Sequence, residues 1–159
     1  MITGACPCGA LSFSIDGAAA WTVYCHCGEC RDASGAPVTL WAGFPVAAVA
    51  VSGVVSWRPG RSLWVTRGFC AVCGAHVLYR DRSMVREELY INGAFVSEPD
   101  RVVAEAHAFW SERVTGVGVD DRLPTFDTYS RLRLPRTDPA DIAGGARAEI
   151  VKRPRGPLH

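Results

Sequence analysis

Seven cysteines fall into three short clusters, Cys6-Pro7-Cys8, Cys25-His26-Cys27-Gly28-Glu29-Cys30 and Cys70-Ala71-Val72-Cys73. Their arithmetic predicts two metal sites of unequal completeness. Cys6, Cys8, Cys70 and Cys73 make four thiolates, enough to close a tetrahedron around zinc, while Cys25, Cys27 and Cys30 offer three. The first site would fasten the amino-terminal loop to a central hairpin, so it reads as structural. Gly9 and Gly74 each follow the second cysteine of a loop, where a left-handed backbone lets amides point back at the sulfurs. The central cluster leaves its fourth corner to water, substrate or a remote side chain. His26, between two ligands in a tight loop, is expected to point away from the metal.

The ligand set biases the chemistry. Three thiolates bring a formal charge of about −3 to a +2 ion and blunt its Lewis acidity relative to a three-imidazole site, so hydrolysis is disfavoured. Another soft ligand is favoured, namely an exogenous thiol bound as thiolate and ready to attack an electrophilic carbon. The expected reaction class is the making or breaking of carbon–sulfur bonds, with zinc, two per chain, as cofactor. The alternatives are a non-catalytic zinc scaffold or interaction module, and a redox protein cycling Cys27 and Cys30 between dithiol and disulfide.

The elements that must hold these clusters read as β. Leu11, Phe13 and Ile15 alternate against Ser12 and Ser14, and Trp21, Val23 and Cys25 alternate in the next run, a period of two. Further strands are predicted at Val38 to Phe44, Val46 to Val51, Val54 to Trp57, Ser62 to Phe69, His76 to Arg80, Glu88 to Ile91 and Glu105 to Trp110. Gly and Pro punctuate them about every ten residues, as in an all-β sandwich or open barrel of short antiparallel strands. Only Gly28 to Ser34 and Val117 to Leu123 look free for a helical turn. The five tryptophans, Trp21, Trp41, Trp57, Trp64 and Trp110, are expected in the core and pocket wall.

With 159 residues, 48% of them hydrophobic, the chain can bury one core. One zinc-binding domain is expected over 1–130, followed by a basic Pro/Gly-rich tail at 131–159 that is expected to be disordered. The tail carries six Arg and one Lys against Asp138, Asp141 and Glu149, hence +4, leaving −3 on the body of a chain whose net charge is +1. Without interleaved aromatics that tail does not read as a nucleic-acid surface. No apolar run is long enough for a membrane span, and the start MITGACPCGA lacks the pattern of a leader. A cytoplasmic home is expected, which also favours metal over disulfides. Homo-oligomerisation is left open.

The runs Gly4-Ala5-Cys6-Pro7-Cys8-Gly9-Ala10-Leu11, Tyr24-Cys25-His26-Cys27-Gly28-Glu29-Cys30-Arg31, Ser34-Gly35-Ala36-Pro37 and Arg67 through Gly74, with His107 and Leu123-Pro124-Thr125-Phe126, resemble the glutathione-dependent formaldehyde-activating enzyme family, which also includes centromere protein V. The resemblance runs in order over roughly residues 4–126. It implies a zinc-binding Mss4-like fold, a structural zinc on Cys6, Cys8, Cys70 and Cys73, and a catalytic zinc on Cys25, Cys27 and Cys30 that acts on the thiol of glutathione. The implied activity is condensation of glutathione with formaldehyde, the reverse of a carbon–sulfur lyase. The implied partners are therefore a small-molecule thiol and an aldehyde. His107 matches a family histidine, with a role in orienting substrate or moving a proton. Arg31 and Arg67, beside the clusters, would pair with a substrate carboxylate or offset sulfur-borne charge. The stretch Ile91 to Pro99 lacks the aspartate usual in the family.

Overall fold

The computed structural model describes residues 1–129 except 85 and 119; the tail predicted at 131–159 lies outside the described residues. In chain order the elements are β1 (Ile2–Ala5), β2 (Ser12–Ile15), β3 (Trp21–Cys25), α1 (Gly28–Ser34), β4 (Thr39–Pro45), β5 (Val49–Ser52), β6 (Val55–Pro59), β7 (Val65–Cys70), β8 (His76–Asp81), β9 (Glu88–Asn92), β10 (Ala106–Ala108) and β11 (Thr125–Phe126), with short 3-10 turns between some of them. The predicted all-β architecture is present. A three-stranded sheet has the order β1-β2-β5, and an eight-stranded sheet has the order β11-β10-β3-β4-β9-β8-β7-β6.

Period-two alternation sends neighbouring side chains to opposite faces of the large sheet, which separates two cores. On one face Ala42 and Phe44 of β4, Leu78 of β8 and Leu89 and Ile91 of β9 pack with Leu11, Phe13 and Ile15, and this core includes Cys6 and Cys70. Each such large side chain contributes roughly 1.5–3 kcal/mol through burial. On the other face Trp21, Trp41, Tyr79 and Tyr90 pack with Cys25 and Cys30. The two cysteine groups therefore belong to opposite faces of one sheet.

Several local expectations change. The run predicted as one strand at Val46 to Val51 begins with a 3-10 turn at Val46–Ala48 and only then enters β5. Pro45, which lacks an N–H, ends the β4 ladder, and the chain crosses to the smaller sheet. The run Glu105 to Trp110 keeps only three strand residues, because Phe109 adopts a left-handed backbone (φ 57°) and turns the chain into Trp110–Glu112. Two edge pairings are parallel: β10 runs parallel to both β3 and β11. The helix predicted at Gly28 to Ser34 is α1. The turn predicted at Val117 to Leu123 forms no helix among its described residues; Asp121 Oδ1 instead accepts the Leu123 amide at 3.0 Å, a local side-chain bond that competes with helix.

The tryptophans divide. Trp21 and Trp41 are core, whereas Trp57 and Trp64 are 40% and 58% exposed. Trp57 lies on β6, the edge strand, where its ring is covered by Arg80 at 5.1 Å; Trp64 sits in the loop just before β7.

Candidate metal centres

The two hairpin knuckles of the four-cysteine group are built alike. After Cys6 and Cys8, the Gly9 amide donates to the Cys6 carbonyl at 2.9 Å; after Cys70 and Cys73, the Gly74 amide donates to the Cys70 carbonyl at 2.9 Å. Both glycines have positive φ, 74° and 75°, as their positions after the cysteines led one to expect. The four sulfurs lie within 4.8 Å of one another. Cys6 and Cys8 are 3.4 Å apart, and Cys8 and Cys70 are 3.8 Å apart. A tetrahedral zinc with Zn–S of about 2.3 Å demands about 3.8 Å between sulfurs, so the group fits the ion. Burial alone would push the Cys6 thiol up. The Leu11 amide, 3.3 Å from its sulfur, and the other three cysteines more than reverse this, bringing it down to about 6. A sulfur prepared as an anion suits a metal ligand.

The second group takes Cys25 from the end of β3, Cys27 as the N-cap of α1 and Cys30 from the first turn of α1. The Cys27 sulfur accepts the Cys30 amide at 3.3 Å. These three sulfurs also lie within 4.8 Å of one another, and among the described residues no His, Asp or Glu joins them. Hydrogen bonds from Cys25, then Cys27, hold the Cys30 thiol far below its ordinary value, with help from the Arg67 guanidinium. Cys25 is correspondingly pushed up by its two neighbours and by burial. Of the three, Cys30 is the thiol that its surroundings favour most as thiolate. Arg67 is 5% exposed; its Nη1 donates to Cys30 Sγ at 3.7 Å, its Nε pairs with Glu29 at 3.2 Å, and it lies over the Tyr79 ring.

Arg31 does not face sulfur. Its Nη1 donates to the His26 carbonyl and, at 2.6 Å, to the Glu112 carbonyl. Glu112 also accepts the Gly28 amide at 2.9 Å, so the turn after β10 is tied onto the cysteine loop. His26 turns away from the sulfurs: its Nε2 is 2.8 Å from His107 Nδ1, and His107 Nε2 is 3.0 Å from Asp121 Oδ1. With the Asp121 carboxylate accepting from Nε2–H of His107, the Nδ1 of His107 accepts from His26. Register pairs His107 with Tyr24 and Ala108 with Cys25, so His107 occupies the face opposite Cys25. Glu29, Glu112 and Asp121 complete this surround. Glu112 and Asp121 carried no signal in the sequence because both reach the site from more than 80 residues away or through another such residue.

His76 is in the core, stacked on Phe69 at 4.7 Å and edge-on to Trp41 at 5.1 Å. The ring nitrogens are sealed from solvent and make no well-formed hydrogen bond, with the Leu78 backbone giving the ring only a weaker polar contact. Burial, then the Arg67 charge, lowers its pKa to about 4. The folded value lies below the unfolded one of about 6.5, so the unfolded chain takes up the proton first and stability falls as pH drops from about 6.5 to about 4. Replacing His76 by Phe should make the stability-versus-pH slope shallower by about 1 kcal/mol per pH unit in that window. Denaturant titrations at several pH values measure it, and a slope equal to wild type contradicts the assignment.

No helix among the described residues is long and apolar enough to cross a membrane. A crystal structure of a Rhodobacter sphaeroides protein superposes with a TM-score of 0.50 at 22% identity, over 78% of this chain and 99% of the other, a likeness of fold. No curated protein matches the chain. The family model described as glutathione-dependent formaldehyde-activating enzyme matches residues 1–112, a span that contains both cysteine groups, and the chain belongs to that family.

Proposed function

We propose that this protein is a zinc-dependent enzyme that forms or breaks a carbon–sulfur bond between a thiol, such as glutathione, and an aldehyde, such as formaldehyde. The observation that carries the reading is a triad of sulfurs, Cys25, Cys27 and Cys30, with no fourth His, Asp or Glu donor beside it among the described residues. The name of the family supplies the two substrates. In this reading Cys6, Cys8, Cys70 and Cys73 hold a structural zinc and the triad holds a catalytic one, in a reducing compartment such as the cytoplasm. When bound at the triad, zinc supplies a Lewis-acid corner at which an incoming thiol is favoured as its thiolate.

The chain's own residues supply the rest. Cys25 and Cys30 are buried while Cys27 is half-buried, so Cys27 is the most accessible residue of the three. Arg67 places its positive charge against Cys30, where a fourth sulfur would raise the negative charge of the site further. The Asp121–His107–His26 chain fixes the ring that lies between two ligands, so His107 acts as a positioning residue through His26. In the forward direction the thiol sulfur bonds to the carbonyl carbon, the C=O π pair moves to oxygen, and the thiol's proton ends on that oxygen. The product is a hydroxymethyl thioether.

Arg67→Met is expected to weaken metal retention at the triad about 10- to 100-fold, the range for loss of a residue that supports a metal ligand. Competition with a graded chelator reads this, and unchanged retention contradicts the role given to Arg67. The reading as a whole is tested with cobalt(II) in the triad: added glutathione should change the cobalt absorption, while its oxygen analogue, with serine in place of cysteine, should not. A spectrum indifferent to every thiol favours a non-catalytic zinc scaffold.

A further inference from the structure

The turn between β6 and β7 carries two adjacent large apolar side chains into solvent: Leu63 is 97% exposed and Trp64 58%. The backbone that presents them is held in place. The Gly60 amide donates to the Val65 carbonyl at 2.8 Å, the Val65 amide to the Ser62 carbonyl at 3.0 Å, and the Trp64 amide to Ser62 Oγ at 3.2 Å. The Arg61 amide donates to Glu29 of α1 at 2.9 Å, and the Arg61 guanidinium pairs with Asp32 of the same helix. None of these bonds involves the Leu63 or Trp64 side chain, so the turn is fixed while its apolar groups stay in water. Adjacent exposed apolar side chains of this size mark a contact surface.

The surroundings are basic. The turn between β8 and β9 adjoins this one through the Arg82 amide, which donates to the Trp64 carbonyl at 2.9 Å. Arg82 and Arg86 of that turn are exposed, with Glu87 as its exposed acid, while Arg61 is offset by Asp32. Asp81, which pairs with Val65, is buried and accepts the Tyr129 hydroxyl at 3.1 Å. The chain therefore continues from near this end into 131–159, where six Arg and one Lys stand against three acids. Tail and turns share a sign, which disfavours their packing together and favours a common anionic partner.

The shape narrows that partner. A specific protein interface engages roughly 20–30 residues a side, far more than two apolar side chains on a turn supply. Leu63 has no ring with which to stack on a base, as a single-stranded nucleic acid would require. A bilayer asks for no shape complementarity: aliphatic groups and indoles enter the boundary between headgroups and acyl chains, and arginines stay with anionic headgroups.

We propose that this end of the molecule docks on an anionic lipid surface, with Leu63 and Trp64 entering the bilayer boundary and Arg82 set against the headgroups. The docking is independent of the chemistry at the triad.

The test uses the full chain with phosphatidylcholine vesicles made with and without phosphatidylserine. Wild type should cosediment with the phosphatidylserine vesicles and not with phosphatidylcholine alone, and rising salt should weaken the binding. Leu63→Ser should weaken it about tenfold and Arg82→Gln about fivefold. Both side chains are exposed, so the variants should melt as wild type does. Brominated acyl chains should quench tryptophan fluorescence, and Trp64→Phe should keep the sedimentation while losing most of the quenching. Absence of cosedimentation with the anionic vesicles overturns the proposal, as does binding that Leu63→Ser leaves unchanged or quenching that Trp64→Phe leaves unchanged. Retention on a single-stranded oligonucleotide, or a dimer that Leu63→Ser dissolves, with no vesicle binding in either case, gives this end to nucleic acid or to a second copy and likewise overturns it.

Discussion

Cys70→Ser is expected to abolish the folded state. The sulfur belongs to the four-cysteine group and also to the larger core, where it is 2% exposed. Structural zinc sites contribute apparent binding free energies of about 10–16 kcal/mol, comparable with the whole stability of a domain at about 5–15 kcal/mol. Cys8 and Cys70 are 62 residues apart in sequence, and a crosslink over such a loop removes about 4 kcal/mol of unfolded-chain entropy. The retained oxygen is a poorer ligand than a thiolate, so the variant loses both contributions. Circular dichroism and thermal melts, with and without chelator on the wild type, measure it. A cooperative melt within a few degrees of wild type would show that this site does not fasten the fold.

Cys30→Ser should have the opposite profile, with the fold kept and the chemistry lost. Its group closes only the short stretch from Cys25 to Cys30, so little chain entropy depends on it. Hydrogen bonds within α1 and the pairing of β3 with β4 do not pass through the sulfur. Bound zinc should fall from two to one per chain, and thiol-dependent aldehyde consumption should drop by more than about 100-fold, beyond the loss expected from a supporting residue. Metal analysis and an aldehyde assay on the same preparation read both numbers. Two retained zincs, or an undiminished rate, would remove the triad from the mechanism. A collapse of the fold would instead make it a second structural site.

The sequence by itself determined what depends on short spacing. One or two residues between cysteines suffice to bring sulfurs to one point, and a glycine after each knuckle of the four-cysteine group reports its backbone, so both groups were legible, as were α1 and most strands from their period. β1 was not: its inward position Gly4 has no side chain to mark the alternation, because a Cβ there would stand 2.2 Å from the Phe13 ring.

Only the tertiary structure decided what depends on register between distant strands. It placed the two cysteine groups on opposite faces of one sheet, directed His107 to His26 and away from Cys25, brought Arg67 to the Cys30 sulfur, and set the His76 ring between Phe69 and Trp41. One residue of slip in a strand sends every side chain to the other face, and sequence spacing carries no record of which register the long-range pairing selects.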